Sequence, residues 1–365
     1  MSDKKGALPI QTIREMKKSG FIRGGLDENI KPASLDLSLS DEIYEVDGVF
    51  LPYPNEIIRE VVSRVNATKV SIADPLRVNK TYLIRLNEKI QLPEGVYAYC
   101  NPKSSTGRLD MHVRLMADKV ARYDTLTQAG SSGELWVSVI PRSFDVLLFE
   151  GLCLNQLRFF NKDTRFTEAE LQMELSKTSL IWNESGAIIY ADLRTKDADG
   201  SLLLGLDING ETIGYEAIQT DVVIDVSRIG SYEYSDFFIP VVKDKDDLLY
   251  LKRDTFYILS TKERLKIPPY LACEMIPMDE RTGEFRSHYA GFIDPGWGWG
   301  KDGEGEGRPI TLEVRPFEDM IVRQDQPIGK VVFERLTDVP EQQYDDIGSN
   351  YISQKGPKLA KQFKS

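Results

Sequence analysis

Apolar residues recur at every second position in short runs along most of this chain, and Pro, Gly, Asp or Asn breaks the runs at short intervals. Ala33-Ser34-Leu35-Asp36-Leu37-Ser38-Leu39 is the clearest case and predicts a half-buried strand. Further strands are expected at 70–72, 82–84, 95–100, 135–139, 146–148 and 154–160. Helical spacing is rare by comparison. Ile10, Ile13 and Met16 predict a short amphipathic helix that Gly20 ends, and Thr167-x-x-Glu170 has the form of a capping box opening a second helix that runs to Ser176. This is the pattern of an all-β sandwich or barrel. A parallel βαβ architecture would need more helices than the sequence offers.

The strand pattern thins between about 161 and 205, where Asp-Gly and Asn-Glu-Ser-Gly turns accumulate, and returns afterwards. We therefore expect a first domain over 1–165, a junction over 166–205 and a second domain over 206–365. The two halves align at a near-constant offset of about 175 residues. Tyr82 falls on Tyr257, Glu88 on Glu263, Pro93 on Pro268 and Pro102 on Pro277. Leu135-Trp-Val-Ser138 falls on Ile310-Thr-Leu-Glu313, and Leu157-Arg-Phe159 on Val331-Val-Phe333 at one residue less. A tandem duplication of one β-rich domain explains these matches. From Gly348 onward the chain is polar, with Lys355, Lys358, Lys361 and Lys364, and by itself reads as a mobile end.

Composition narrows the chemistry. The 365 residues are enough for two cores, and 41% hydrophobic with 28% charged residues is ordinary for a globular protein. Neither a membrane span nor a signal-peptide core is visible, which predicts a cytoplasmic protein with no membrane partner. Cys100, Cys153 and Cys273 are odd in number and far apart, so buried thiols are expected rather than a disulfide framework. There is no Cys-x-x-Cys, and His112 and His288 are the only histidines, which argues against a zinc deaminase site. Dinucleotide and P-loop glycine motifs are missing as well. A net charge of −11, from 46 basic and 57 acidic residues, disfavours a nucleic-acid partner. A small anionic ligand held by local cations is still compatible.

Those cations occur in Pro102-Lys103-Ser104-Ser105-Thr106-Gly107-Arg108-Leu109-Asp110. Two serine hydroxyls, the Gly107 backbone, Lys103 and Arg108 form a group suited to phosphate, although turn chemistry explains the same residues. The second half replaces it with Met278-Asp279-Glu280-Arg281-Thr282-Gly283, whose acids would repel phosphate. Conversely, the second half holds Ala290-Gly291-Phe292-Ile293-Asp294-Pro295-Gly296-Trp297 and then Ile310-Thr311-Leu312-Glu313, where the first half ends its strand in Ser138. The copies look complementary, each keeping one part of a single site. Taken alone, Glu313 reads as a solvated strand carboxylate, Asp36 and Asp124 as turn or strand-pairing residues, and His112 and His288 as packing residues.

Together these motifs, with Gln326-Pro-Ile-Gly329-Lys-Val-Val-Phe-Glu334 and Tyr351-Ile-Ser-Gln354-Lys-Gly356, resemble the dCTP deaminase branch of the dUTPase-like superfamily, in its long duplicated bacterial form. The resemblance covers nearly the whole chain. It implies a mainly β protein of two tandem dUTPase-like distorted β-barrels (the β-clip fold) with a few short helices. It implies hydrolytic deamination of dCTP to dUTP and ammonia with no protein-bound metal, Mg²⁺ arriving with the triphosphate, as a step in pyrimidine deoxynucleotide synthesis. Glu313 matches the family's catalytic Glu, while Ser104 and Arg108 match residues beside the reacting centre and phosphates. Lys103, Ser105 and Gly107 would complete the phosphate cradle, Asp294 would meet the deoxyribose, and Tyr344, Tyr351 and Gln354 would belong to a C-terminal lid. Because the family builds its sites between copies, a homo-oligomer or a site within one chain is expected.

The chain departs from that pattern in three places. Lys103 stands where the family usually has Arg, which keeps the charge and loses bidentate geometry. Asn350 stands where Lys is common, and the acidic segment 298–308 is longer than the family's turn. Two rival functions remain from sequence: dUTP pyrophosphatase, alone or as a second activity, and a non-catalytic nucleotide sensor.

Overall fold

In the computed structural model, which describes residues 4–128, 133–193, 198–283, 285–287, 291–346 and 355–364, the alternation beginning near residue 33 becomes one long strand, Ser34–Val46. Every residue from Ser34 to Ser40 is buried, so the strand is covered on both faces and not on one as the alternation predicts. The polar face is covered because its groups find partners. The Ser38 hydroxyl and backbone N–H donate to Glu88 at 2.6 and 2.9 Å, and the Ser40 hydroxyl donates to the Arg85 carbonyl at 2.8 Å.

Two compact units divide the chain. The first comprises Met1–Asp163, Gln219–Tyr232 and Ala360–Ser365; the second comprises Thr164–Ile218 and Glu233–Leu359. In the first, the described strands run in the order Met111–Ala117, Leu135–Pro141, Thr81–Leu86, Ser34–Val46, Cys153–Phe160, Tyr97–Pro102, Thr125–Leu126, with antiparallel neighbours. A register shift between Leu39 and Ile43 lets Ser34–Val46 pair with Cys153–Phe160 along one stretch and Thr81–Leu86 along the next. The helix Ile10–Lys18 buries Ile10, Ile13 and Met16, as its spacing predicts.

The second unit repeats this pairing with one difference. Tyr257–Leu265 lies antiparallel to Arg308–Pro316, and Leu271–Ile276 antiparallel to Pro327–Arg335. The place of the single long strand is taken by two short ones: Leu202–Gly205 pairs with Pro327–Arg335, and Gly214–Ala217 with Tyr257–Leu265. The described residues between 166 and 205, where the strand pattern thins, supply packed elements of this unit. Helix Glu168–Leu175 carries the predicted capping box, with the Thr167 N–H donating to Glu170 at 2.8 Å. Phe166, Leu171, Leu175, Leu180, Ile181, Leu202 and Leu204 share one core with Tyr257, Leu312 and Phe333.

The chain's C-terminal end differs from its sequence reading. Polar composition predicts a mobile tail, yet Ala360, Gln362 and Phe363 are buried within the first unit. The reason lies in the backbone. The N–H groups of Gly230 and Ser231 donate to the carbonyls of Lys361 and Gln362 at 2.9 and 2.8 Å, and that of Lys364 to Tyr232 at 2.9 Å.

Candidate active site

Pro102 ends the strand Tyr97–Pro102, and Ser104–Gly107 forms a single helical turn directly after it. The turn is fixed to the neighbouring strand by two bonds: the Lys103 N–H and the Thr106 hydroxyl both donate to the Leu154 carbonyl, at 2.9 and 2.8 Å. The N–H groups of Thr106 and Gly107 donate in turn to the Lys103 carbonyl at 2.9 and 3.1 Å. Gly107 is a buried residue of this turn, and Ser104 is exposed with Ser105 half-buried beside it. Arg108 is 3% exposed. The five predicted residues therefore share one rigid turn. Asp110, in the left-handed region at φ 52°, closes it and accepts from the Ser143 hydroxyl at 2.6 Å.

Lys103 is ion-paired to Asp36. That carboxylate also lies 3.9 Å from the Lys31 ammonium and is 3% exposed. Sequence reading leaves Asp36 as a turn or strand-pairing residue, but in the folded unit it is the buried counter-ion of Lys103. The alternation carries no signal of this, because it puts Asp36 on the polar face of the strand and does not show that this face is covered; once buried there, a carboxylate needs a partner.

In the second unit, Asp294 and Trp297 are each 8% exposed. The turn between them depends on Gly296, at φ +89°, where a Cβ would come within 2.7 Å of the Gln343 Cβ. The Tyr344 N–H donates to the Pro295 carbonyl at 2.9 Å, and the Tyr344 ring lies 4.9 Å from that of Trp297. Arg308 sits over the other ring of this pair, Trp297, at 5.6 Å and binds Asp345 through two nitrogens at 2.6 and 2.9 Å. The structure thus joins Asp294 and Tyr344 around Trp297. Trp297 is the centre of that packing.

Glu313 lies in the strand Arg308–Pro316, opposite Ile258, and is 7% exposed. A solvated surface carboxylate is therefore not what the fold presents. Thr311 points to the same face by strand alternation, and its hydroxyl accepts from the Lys358 N–H at 3.4 Å. A described segment of the tail consequently runs over the face that carries Glu313. Tyr351, Gln354, Asn350 and His288 lie outside the described residues. The acidic segment 298–308 folds back on itself, with the Gly305 and Gly307 N–H groups donating to Trp299 and Gly298 at 2.8 and 3.1 Å. Asp302, Glu304 and Glu306 are exposed. Among the described residues no helix is long and apolar enough to cross a membrane.

Comparison with known proteins gives a consistent result. Residues 4–163 match the family model for the 2'-deoxycytidine 5'-triphosphate deaminase N-terminal domain, and residues 167–363 that for its C-terminal domain. No curated protein matches the chain. Among solved structures, the crystal structure of 2'-deoxycytidine 5'-triphosphate deaminase from Agrobacterium tumefaciens is similar at a TM-score of 0.83 and 32% identity, over 93% of this chain and 97% of that one. Two adjoining domain matches and one likeness spanning both lead to a single statement: the chain belongs to the 2'-deoxycytidine 5'-triphosphate deaminase family, in its long two-domain form.

Proposed function

We propose that this protein deaminates dCTP to dUTP and ammonia with Glu313 as the proton-transferring group and no protein-bound metal, supplying dUTP to pyrimidine deoxynucleotide synthesis. The Glu313 carboxylate takes a proton from water, and the resulting hydroxide adds to C4 of cytosine. C4 is then tetrahedral and carries both oxygen and the amino group. Glu313 returns its proton to the amine, the C–N bond breaks, and ammonia leaves. The water's second proton ends on N3, and C4 keeps the oxygen as the uracil carbonyl. A positioned carboxylate of this kind contributes about 10²–10⁴-fold.

The remaining residues bind and orient. Ser104 and Arg108 face the reacting centre and phosphates, Lys103, Ser105 and Gly107 complete the cradle, and Asp294 meets the deoxyribose. Tyr344, Tyr351 and Gln354 are assigned to the lid, and Mg²⁺ travels with the triphosphate. What carries this reading is the burial of Glu313 on a strand: a rigid, water-poor setting suits a carboxylate that must hold one geometry through two proton transfers. Incubation with dCTP and Mg²⁺, followed by separation of dUTP, dUMP and ammonia, tests it. Ammonia and dUTP in equal amounts are expected. Appearance of dUMP would add a pyrophosphatase step, and no ammonia would leave a nucleotide sensor.

A further inference from the structure

One recess of the first unit brings together cations that the sequence keeps far apart. It encloses about 330 Å³ and is lined by Lys103 and Ser105 of the helical turn, Lys31 and Asp36, and Lys361 from the C-terminal end. That volume lies at the lower end of the range of about 300–1,000 Å³ typical of ligand pockets. Lys361 is held there by more than its own side chain. Its carbonyl accepts from Gly230, the neighbouring Gln362 side chain donates to the Val226 carbonyl at 2.8 Å, and Ala360 and Phe363 are buried on either side.

The charge balance is the informative part. Asp36 is shared between Lys103 and Lys31, whereas among the described residues no carboxylate lies within ion-pair distance of Lys361. Counting the exposed Glu28 on the rim, the lysines still outnumber the acids in a chain of net charge −11. Burial first, and then the nearby Lys103 ammonium, hold the Lys361 amine below its ordinary range. Placing a half-buried cation beside another without a counter-ion costs stability, and an anion entering the recess relieves that cost.

We infer that Lys361 is a further phosphate-binding residue, which completes with Lys103, Ser105 and Lys31 a recess for the polyphosphate of the substrate. The inference rests on the deaminase reading for the identity of the anion only. The positive recess itself is independent of it. Lysine ammonium groups suit phosphate oxygens because each gives charge-assisted hydrogen bonds without demanding a planar partner.

Calorimetric titration of the full chain with inorganic tripolyphosphate tests this without any catalysis. Lys361→Met should weaken binding by about tenfold, the loss of one charge-assisted bond. Lys361→Arg should restore most of it. With dCTP as substrate, Lys361→Met should raise KM by a similar factor. Failure of the wild-type chain to bind tripolyphosphate, or unchanged binding by Lys361→Met with an unaltered melting temperature, overturns the assignment. If dCTP is not deaminated, the proposed function falls, and the tripolyphosphate titration still decides Lys361.

Discussion

In the first copy Ser138 stands opposite Leu83, and in the second Glu313 stands opposite Ile258. The same correspondence holds in the other sheet pairing, where Phe159 opposite Ala98 becomes Phe333 opposite Cys273. Strand pairing has therefore been kept to the residue while the chemistry at individual positions has diverged. Leu83, Ile258, Phe159 and Phe333 are all buried, and a slip of one residue would turn each of them to the wrong face. Register sets which face Ser138 and Glu313 occupy and not which polar group stands there, so the two copies keep one pairing with different chemistry at these buried positions.

Some polar positions did not diverge. Glu88 accepts from the Ser38 N–H at 2.9 Å, and Glu263 accepts from the Gly205 N–H at 2.7 Å, the corresponding place in the other copy. Both carboxyls are pushed above the ordinary range, in each case chiefly by burial. These are structural acids: each satisfies a strand N–H that would otherwise be buried without an acceptor. The two kinds of carboxylate are thus told apart by the duplication itself. One kind recurs in both copies and closes the backbone; the other occurs once.

The sharpest way to break this distinction is at Glu313. Glu313→Gln should lower the rate of ammonia release by about 10²–10⁴-fold, whereas Ser138→Ala, at the matching register position, should stay within about twofold of wild type, since a single hydroxyl on a buried strand costs stability rather than chemistry. Equal losses in a coupled ammonia assay would mean that the copies are not divided as proposed. A smaller effect is expected at the turns. Ser104→Ala should lower kcat/KM for dCTP by about tenfold or more, and Asp279→Ala, its counterpart in the second copy, should leave it unchanged. Steady-state kinetics on both variants decide between them.

The smallest effect concerns pH. Because burial raises the Glu88 and Glu263 pKa above 4.5 in the folded chain, the folded state holds a proton that the unfolded state releases, and stability falls as pH rises from about 4.5 through the raised values. Glu88→Gln and Glu263→Gln should each flatten that fall. Urea unfolding at intervals from pH 4.5 to 7 measures the slopes. A steeper fall in either variant would contradict burial as the dominant cause.

Much of this architecture is legible in the sequence. The two-residue alternation located the strands, and the offset between halves located their equivalents, including the one-residue change between Leu157 and Val331 that the strand register repeats. Helix Ile10–Lys18 and the Thr167 capping box followed from local spacing. Residues 166–205 were harder, because turn-rich sequence there hides Phe166, Leu171 and Leu202, whose burial depends on distant partners in the same core. The candidate site divides similarly. Lys103 to Arg108 form one motif and were readable together; their counter-ion Asp36, separated from Lys103 by 67 positions, was not.

Sequence alone determined the class of fold, the duplication and the family, since these are carried by periodicity and by short contiguous motifs that survive in one dimension. Tertiary structure decided which polar residues are buried and which charges meet. Nothing in the alternation of Ser34–Val46 shows that its polar face is covered, and nothing in the lysine-rich tail shows that Lys361 comes to rest beside Lys103. The physical reason is that burial and charge pairing are properties of distance in space, and a chain fixes those distances only when it closes on itself.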